Sequence, residues 1–303
     1  MTETTIIAAA APQPHVMVLP FPAQGHVIPL MELSHRLVDY GFKIDFVNTE
    51  FNHDCILKSM QNRVIPEGID MLSVPDGMDP ADDHTDIGKL VGGLPAAMFS
   101  PIEEIIKIKK IKWVIADVSM SWALKLTNTV GVRIALFSTY SASVFALRMK
   151  LPKLIEDGVV DEIGNVKIHK MIQLAPPIDS TEIPWQKVLS HPSVACFMTH
   201  CGWNSTMEGV LHGVPFLCCP YFADQFCNQS YVCNVWRTGL KLCANEQGVV
   251  TKEEIKDKVV QLLKDEDIKA RAIMWKNKAC ASVREGGSSH ENLLKLVKLL
   301  QEG

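Results

Sequence analysis

The sequence predicts an α/β protein with two parallel sheets, and three observations carry that reading. Short apolar runs alternate with segments whose apolar residues recur at helical spacing, which is the signature of strand–helix–strand units. The alternation occurs in both halves of the chain, separated by a stretch without it. A length of 303 residues, at roughly 150 per domain, corresponds to about two domains.

Taken in order, residues 1–13 read as a flexible tail. His15 to Pro20 is a short apolar strand and Phe21 to His26 a loop of turn residues. From Val27 the positions Leu30, Leu33 and Leu37 share one helical face, and Gly41 stands where that helix would stop. Lys43 to Asn48 is the next strand. The stretch from Val74 to Asp86 is rich in Pro, Gly and Asp and reads as a surface loop, its acidic run from Asp79 onward solvated. Glu103 to Lys112 reads as a helix leading into the strand Trp113 to Asp117. Ser119 to Val130 is a helix stopped by Gly131, Arg133 to Phe137 a strand, and an apolar helix follows to about Lys150.

The first domain is expected to span 14–185 and the second 186–303. In the second, Val194 to Thr199 is a strand, His200 to Ser205 a tight loop, and a helix runs on to His212, where Gly213 ends it. Val214 to Cys219 is a strand, Asp224 and Gln225 open a helix, and Gly239 to Cys243 is a short strand. Thr251 and Glu254 form a capping box for a helix over 253–263. Helices over 264–284 and 290–300 complete the chain. About three strands over 186–303 make the second sheet short, and no internal repeat is present.

Composition bounds the function. Lys plus Arg number 30 and Asp plus Glu 34, a net charge of −4 that argues against a nucleic-acid binder. Apolar residues at 47% and charged residues at 21% exclude wholesale disorder. No stretch approaches the ~20 apolar residues of a membrane span. The opening run carries Glu3 and no basic residue, a poor secretory signal, so cytoplasmic residence is expected. Eight of nine cysteines lie from Cys196 onward, mostly inside apolar runs, and read as reduced core thiols rather than a disulfide framework. Asn204 and Asn228 head glycosylation sequons inside a candidate ligand site, a conflict that cytosolic residence removes.

The His200–Ser205 loop is the most informative segment. A strand delivers His200 to its carboxyl end, Gly202 lets backbone come close, and Asn204 and Ser205 stand at a helix start whose N–H groups favour an anion such as a phosphate. The competing reading is that these two residues merely cap the helix. Glu208, one turn on, lies on the same face and suits ribose hydroxyls. Asp224 and Gln225 follow the next strand, open on the same side of the sheet, and suit the vicinal hydroxyls of a sugar, or cap a helix. His26, in a strand-to-helix loop, and Asp117, at a strand end, would make an oriented general base if they touch; each is also an ordinary structural residue. Cys196, His200 and Cys201 lack a second ligand pair at zinc spacing. No G-x-S-x-G, Walker A or G-x-G-x-x-G motif occurs, which disfavours hydrolase, NTPase and nicotinamide oxidoreductase readings.

With these residues in view, the chain resembles the plant UDP-sugar-dependent glycosyltransferases of small molecules. The run from Val188 through His191, Phe197, His200 and Ser205, with Glu208, Gly213 to Pro215, Pro220, Asp224, Gln225 and Asn228, is similar to nearly all of that family's donor-binding box. Phe21 to His26 with Val27 to Leu30 resembles its catalytic-histidine segment, Ala116-Asp117 its acid partner, and Arg284 to Ser289 its C-terminal motif. The resemblance implies the GT-B fold of two Rossmann-like domains, an N-terminal acceptor domain and a C-terminal UDP-sugar domain. It implies that His26 deprotonates an acceptor hydroxyl while Asp117 steadies the imidazolium, with inversion at the anomeric carbon. It implies further that His200, Asn204 and Ser205 hold the diphosphate, Glu208 the ribose, and Trp203, Asp224 and Gln225 the sugar. The partners implied are a UDP-sugar, UDP-glucose first, and a small lipophilic acceptor, with no metal and no other cofactor.

One departure stands out. The family's donor box opens on a Trp that stacks on uracil, nine residues before the position of His191; here Glu182 occupies that place and Trp185 is displaced. An internal deletion joining Trp185 to Gln186 accounts for this and leaves the second domain truncated. Little or no transferase activity is the expectation, because base stacking on an aromatic is worth ~1–3 kcal/mol. A catalytically inactive form that at most binds acceptor or partners is the alternative.

Overall fold

The computed structural model describes residues 13–60, 67–159, 161, 189 and 193–302. The chain divides into two compact units, Met1–Phe137 with Lys295–Gly303, and Ser138–Leu294. Residues 1–12 of the expected tail and the 185/186 boundary, with Glu182, Trp185 and His191, lie outside the described residues.

The first unit is a five-stranded parallel sheet in the order β3-β2-β1-β4-β5. Its strands are β1 (His15–Leu19), β2 (Lys43–Thr49), β3 (Ile69–Val74), β4 (Trp113–Asp117) and β5 (Arg133–Phe137). β1 lies at the centre, with Met17, Val18 and Leu19 fully buried, as a strand covered on both faces requires. α1 (Gln24–Asp39) turns its stripe of Val27, Leu30 and Leu37 inward, and Gly41 leaves it at φ +83. This helix starts three residues before the expected Val27, so His26 sits in its first turn rather than in a loop.

Several elements depart further from expectation. α2 (Glu50–Met60) and β3 went unread, because they flank a segment with no clear periodicity. α3 (Ile87–Lys109) is a 23-residue helix, not the short one over 103–112. Its buried stripe of Leu90, Leu94, Met98, Ile102 and Ile106 runs at four-residue spacing straight through Pro95 and Pro101, which the sequence presents as breakers. The expected helix from Ser119 to Val130 is a 3₁₀ segment, Val118–Lys125, followed by the five-residue α4 (Leu126–Val130), with Gly131 left-handed at φ 68. α5 (Ala142–Glu156) continues past Lys150.

The second unit holds a three-stranded parallel sheet, β6 (Phe197–Thr199), β7 (Phe216–Cys218) and β8 (Gly239–Lys241), in that order. All three strands are shorter than the apolar runs that contain them. Helix Trp203–His212 packs against Glu266–Val283, where Gly213 leaves room for Ile273 and Lys276. The capping box is half made. Thr251 Oγ1 accepts from the Glu254 N–H at 3.2 Å, but the Glu254 carboxylate accepts from Cys243 N at 3.0 Å instead of closing the box. All nine cysteines are free thiols. Among the described residues no helix is long and apolar enough to cross a membrane.

Candidate active site

In a parallel sheet every strand ends at the same edge, and ligands gather where the strand order reverses. In the first unit that reversal falls between β1 and β4. β1 feeds the turn that carries His26, and β4 ends on Asp117. The two meet there, with His26 Nδ1 2.8 Å from Asp117 Oδ2. Asp117 is fully buried, and its second oxygen accepts the Ser119 N–H at 2.7 Å. One carboxylate oxygen therefore fixes the backbone while the other receives the imidazole N–H, which leaves Nε2 as the basic nitrogen. The Phe21 ring, 5.2 Å away and tilted by 59°, walls one side of the imidazole. Separation by 91 residues hid this contact from the sequence.

In the second unit β6 delivers His200, Cys201 and Gly202 to the start of helix Trp203–His212. Cys201 is buried and left-handed at φ 63, an uncommon state for a residue with a side chain. Three bonds hold it there. Its N–H donates to Thr199 Oγ1 at 3.1 Å, its thiol contacts Thr199 O at 3.7 Å, and its carbonyl accepts from Asn228 Nδ2 at 3.0 Å. Gly202 is required for a different reason from the one expected. A Cβ there would stand 2.3 Å from His200 Nε2, so the close approach is made by the imidazole two residues back.

The N-cap is Gly202 itself, with no side-chain cap, so Asn204 and Ser205 occupy the first turn rather than the capping position. The capping explanation of these two residues fails. Both are half-buried, and His200 is exposed. Trp203 packs its indole toward Trp236, with centroids 6.5 Å apart. Glu208 is only 7% exposed and has no hydrogen-bond partner among the described residues; burial pushes its carboxyl above the usual carboxylate range.

After β7 the chain turns through Ala223, also left-handed at φ 52, into helix Gln225–Ser230. Asp224 sits at the N-cap position without capping; it accepts instead from Asn228 Nδ2 at 2.8 Å. Gln225 is buried, and its carbonyl oxygen accepts the N–H groups of Tyr221 and Phe222 at 3.0 and 3.1 Å. Asn228 is the residue whose role sequence reasoning missed. One amide nitrogen ties the His200 loop to the Asp224 loop, a role its sequon context does not signal. Among the described residues no group of three His, Cys, Asp or Glu side chains stands close enough for a metal.

An imidazole–carboxylate pair at one sheet's switch point and an uncapped helix start on a second parallel sheet are the candidate sites of this α/β protein. Comparison with known proteins makes that class specific. Residues 180–278 match the family described as UDP-glucoronosyl and UDP-glucosyl transferase. UDP-glycosyltransferase 83A1 of Arabidopsis thaliana is 27% identical over 450 aligned positions, covering 95% of this chain and 97% of that protein. UDP-glycosyltransferase 84A2 of the same plant is 48% identical over 120 residues, 38% of this chain and 24% of that protein. The fold matches the crystal structure of UDP-glucose: anthocyanidin 3-O-glucosyltransferase in complex with UDP at a TM-score of 0.78, with 19% identity, covering 96% of this chain and 99% of that one. The chain is thus similar to plant UDP-glycosyltransferases along most of its length, matches their family over residues 180–278, and shares the fold of their solved structures. It is shorter than its relatives. Because 95% of 303 residues cannot fill 450 aligned positions that run almost the full length of 83A1, the shortfall is a gap inside the chain.

Proposed function

We propose that this chain is an inverting UDP-sugar glycosyltransferase, with UDP-glucose as donor and a hydroxyl of a small lipophilic molecule as acceptor, and with its grip on the donor weakened by the internal gap. The observation that carries the reading is the 2.8 Å contact between His26 Nδ1 and Asp117 Oδ2. His26 Nε2 takes the acceptor's hydroxyl proton while Asp117 stabilises the imidazolium that forms. The freed oxygen pair bonds to the anomeric carbon as the bond from that carbon to the diphosphate breaks, and UDP leaves with the electron pair.

The donor residues fall into two groups in this reading. His200 and the N–H groups of Trp203, Asn204 and Ser205 receive the charge on the leaving diphosphate, so no metal is needed. The Trp203 indole packs against the core cluster, and its share is therefore a backbone one. Glu208 is a buried acceptor whose missing donors the ribose hydroxyls would supply. Asp224 and Gln225 serve the sugar from the neighbouring loop. Nine free thiols fit a reducing cytoplasm.

The short second sheet favours one other reading, a non-catalytic form that binds acceptor alone. UDP release from UDP-glucose with a panel of phenols, read beside calorimetry with UDP, decides between them. Turnover with UDP binding weaker by roughly 5- to 150-fold than a full-length relative supports the transferase. Failure of UDP to bind at all supports the alternative.

A further inference from the structure

The first unit contains another imidazole–carboxylate pair joined through Nδ1, in the loop that the sequence presents as solvated. His84 Nδ1 lies 2.6 Å from Asp76 Oδ2, and both side chains are largely buried, 15% and 7% exposed. The support resembles that of His26. The second Asp76 oxygen accepts the Met78 N–H at 2.9 Å, which fixes the turn around the carboxylate. Gly77, left-handed at φ +80, presses this turn onto α3, where a Cβ would stand 2.8 Å from Ala97 Cβ. The imidazole is stacked on Phe51, with centroids 4.8 Å apart and planes within 8°. Its Nε2 has no hydrogen-bond partner among the described residues and is not one of the buried unpaired atoms.

Position links this pair to the reaction. Phe51 opens the helix after β2, and His84 lies in the loop after β3, so both stand at the strand-end edge that carries His26 after β1. β1 and β3 are separated by two strand spacings, about 10 Å, which is the length of a two-ring aromatic molecule. Phe21, which walls His26, and Met78, which Asp76 holds, pack into the same core cluster. Residues 75–86 also carry five aspartates and no Lys or Arg, and among the described residues Lys89 is the one Lys or Arg that pairs with them, at Asp82. That field repels an anion.

We propose that His84 is a specificity-determining residue: its Nε2 hydrogen-bonds an oxygen substituent of a flat, uncharged aromatic acceptor seated beside Phe51, and the surrounding aspartates turn away acceptors that carry a carboxylate. The inference rests on the reading of this unit as an acceptor site, and its test needs no sugar transfer. The full chain is titrated calorimetrically with 2-naphthol and with 6-hydroxy-2-naphthoate, without UDP-sugar, while UDP release is measured separately.

Naphthol is expected to bind at least tenfold more tightly than the acid. His84→Phe, which keeps a ring against Phe51 but has no ring nitrogen, should weaken naphthol about tenfold and shrink its preference over the acid. Phe51→Ala should cost naphthol several-fold and serves if His84→Phe does not fold. A pin that only stiffens the loop would lower the melting midpoint and weaken both ligands alike, leaving their ratio intact; that result overturns the proposal. So does naphthol that fails to bind or binds no better than the acid. Selective binding that survives without UDP release would sink the transferase reading alone.

Discussion

The two sheets solve the placing of chemistry in opposite ways. The first uses five strands and a 23-residue helix to bury one carboxylate completely, and hangs an imidazole from it. In the proposed reading its chemistry resides in side chains, set on the larger of the two sheets. The second uses three strands of three residues each, and in the same reading its chemistry resides in backbone: an uncapped helix start, a glycine that admits His200, and a left-handed residue in each of the loops after β6 and β7. A backbone site is only as good as the frame that shapes it, and here that frame is the smaller one. The contrast implies that substitutions in the first unit remove chemistry while leaving structure, whereas substitutions in the second move both together.

The largest test of that contrast is His26→Ala. Loss of a general base costs about 10²- to 10⁴-fold in rate, so UDP release should fall by that factor while calorimetric UDP affinity stays unchanged. Gly202→Ala comes next. The added methyl must displace the His200 ring, and UDP affinity should drop by about tenfold or more, with a lower melting midpoint. Equal loss of stability in both variants would erase the distinction drawn between the sheets.

Hydrogen exchange probes the frames directly. Amides of β1 and β4 should outlast those of β6 and β8 by about tenfold or more, since short strands with few buried neighbours open first. Matching protection would show the second sheet to be as firm as the first. The smallest effect belongs to Glu208. Its raised carboxyl holds a proton to higher pH when folded than the ordinary value of 4.5 in the unfolded chain, so the folded state is favoured at low pH. Stability should therefore decline as pH rises through the range above 4.5, and Glu208→Gln should flatten that slope while weakening UDP several-fold. Melting midpoints across a pH series read the first, and calorimetry the second.

Much of this was legible in the sequence. β1, β2, β4 and β5 announce themselves as apolar runs with turn residues after them, and Gly41, Gly131 and Gly213 mark helix ends that the structure places in the left-handed region. The residues of the His200 loop could be named because a strand end, a glycine and a polar pair fall within six positions. What stayed hidden depended on contact across distance. Nothing local says that Asp117 reaches His26, that Asp76 reaches His84, or that Asn228 ties two loops together. α3 stayed hidden for the opposite reason: Pro95 and Pro101 are local signals that a tertiary demand, the burial of Leu90 through Ile106, overrides.

The Asn228 amide has one further consequence. Oligosaccharyltransferase joins its glycan to the side-chain nitrogen of asparagine in the Asn-x-Ser/Thr context, and here that nitrogen is already committed to Cys201 O and Asp224 Oδ2 in a residue 1% exposed. A chain sent through a secretory host would meet the modifying enzyme before these contacts close. Any molecule tagged at Asn228 would be barred from completing the fold, so yield from such a host should rise when Ser230→Ala removes the acceptor context and leaves the amide in place.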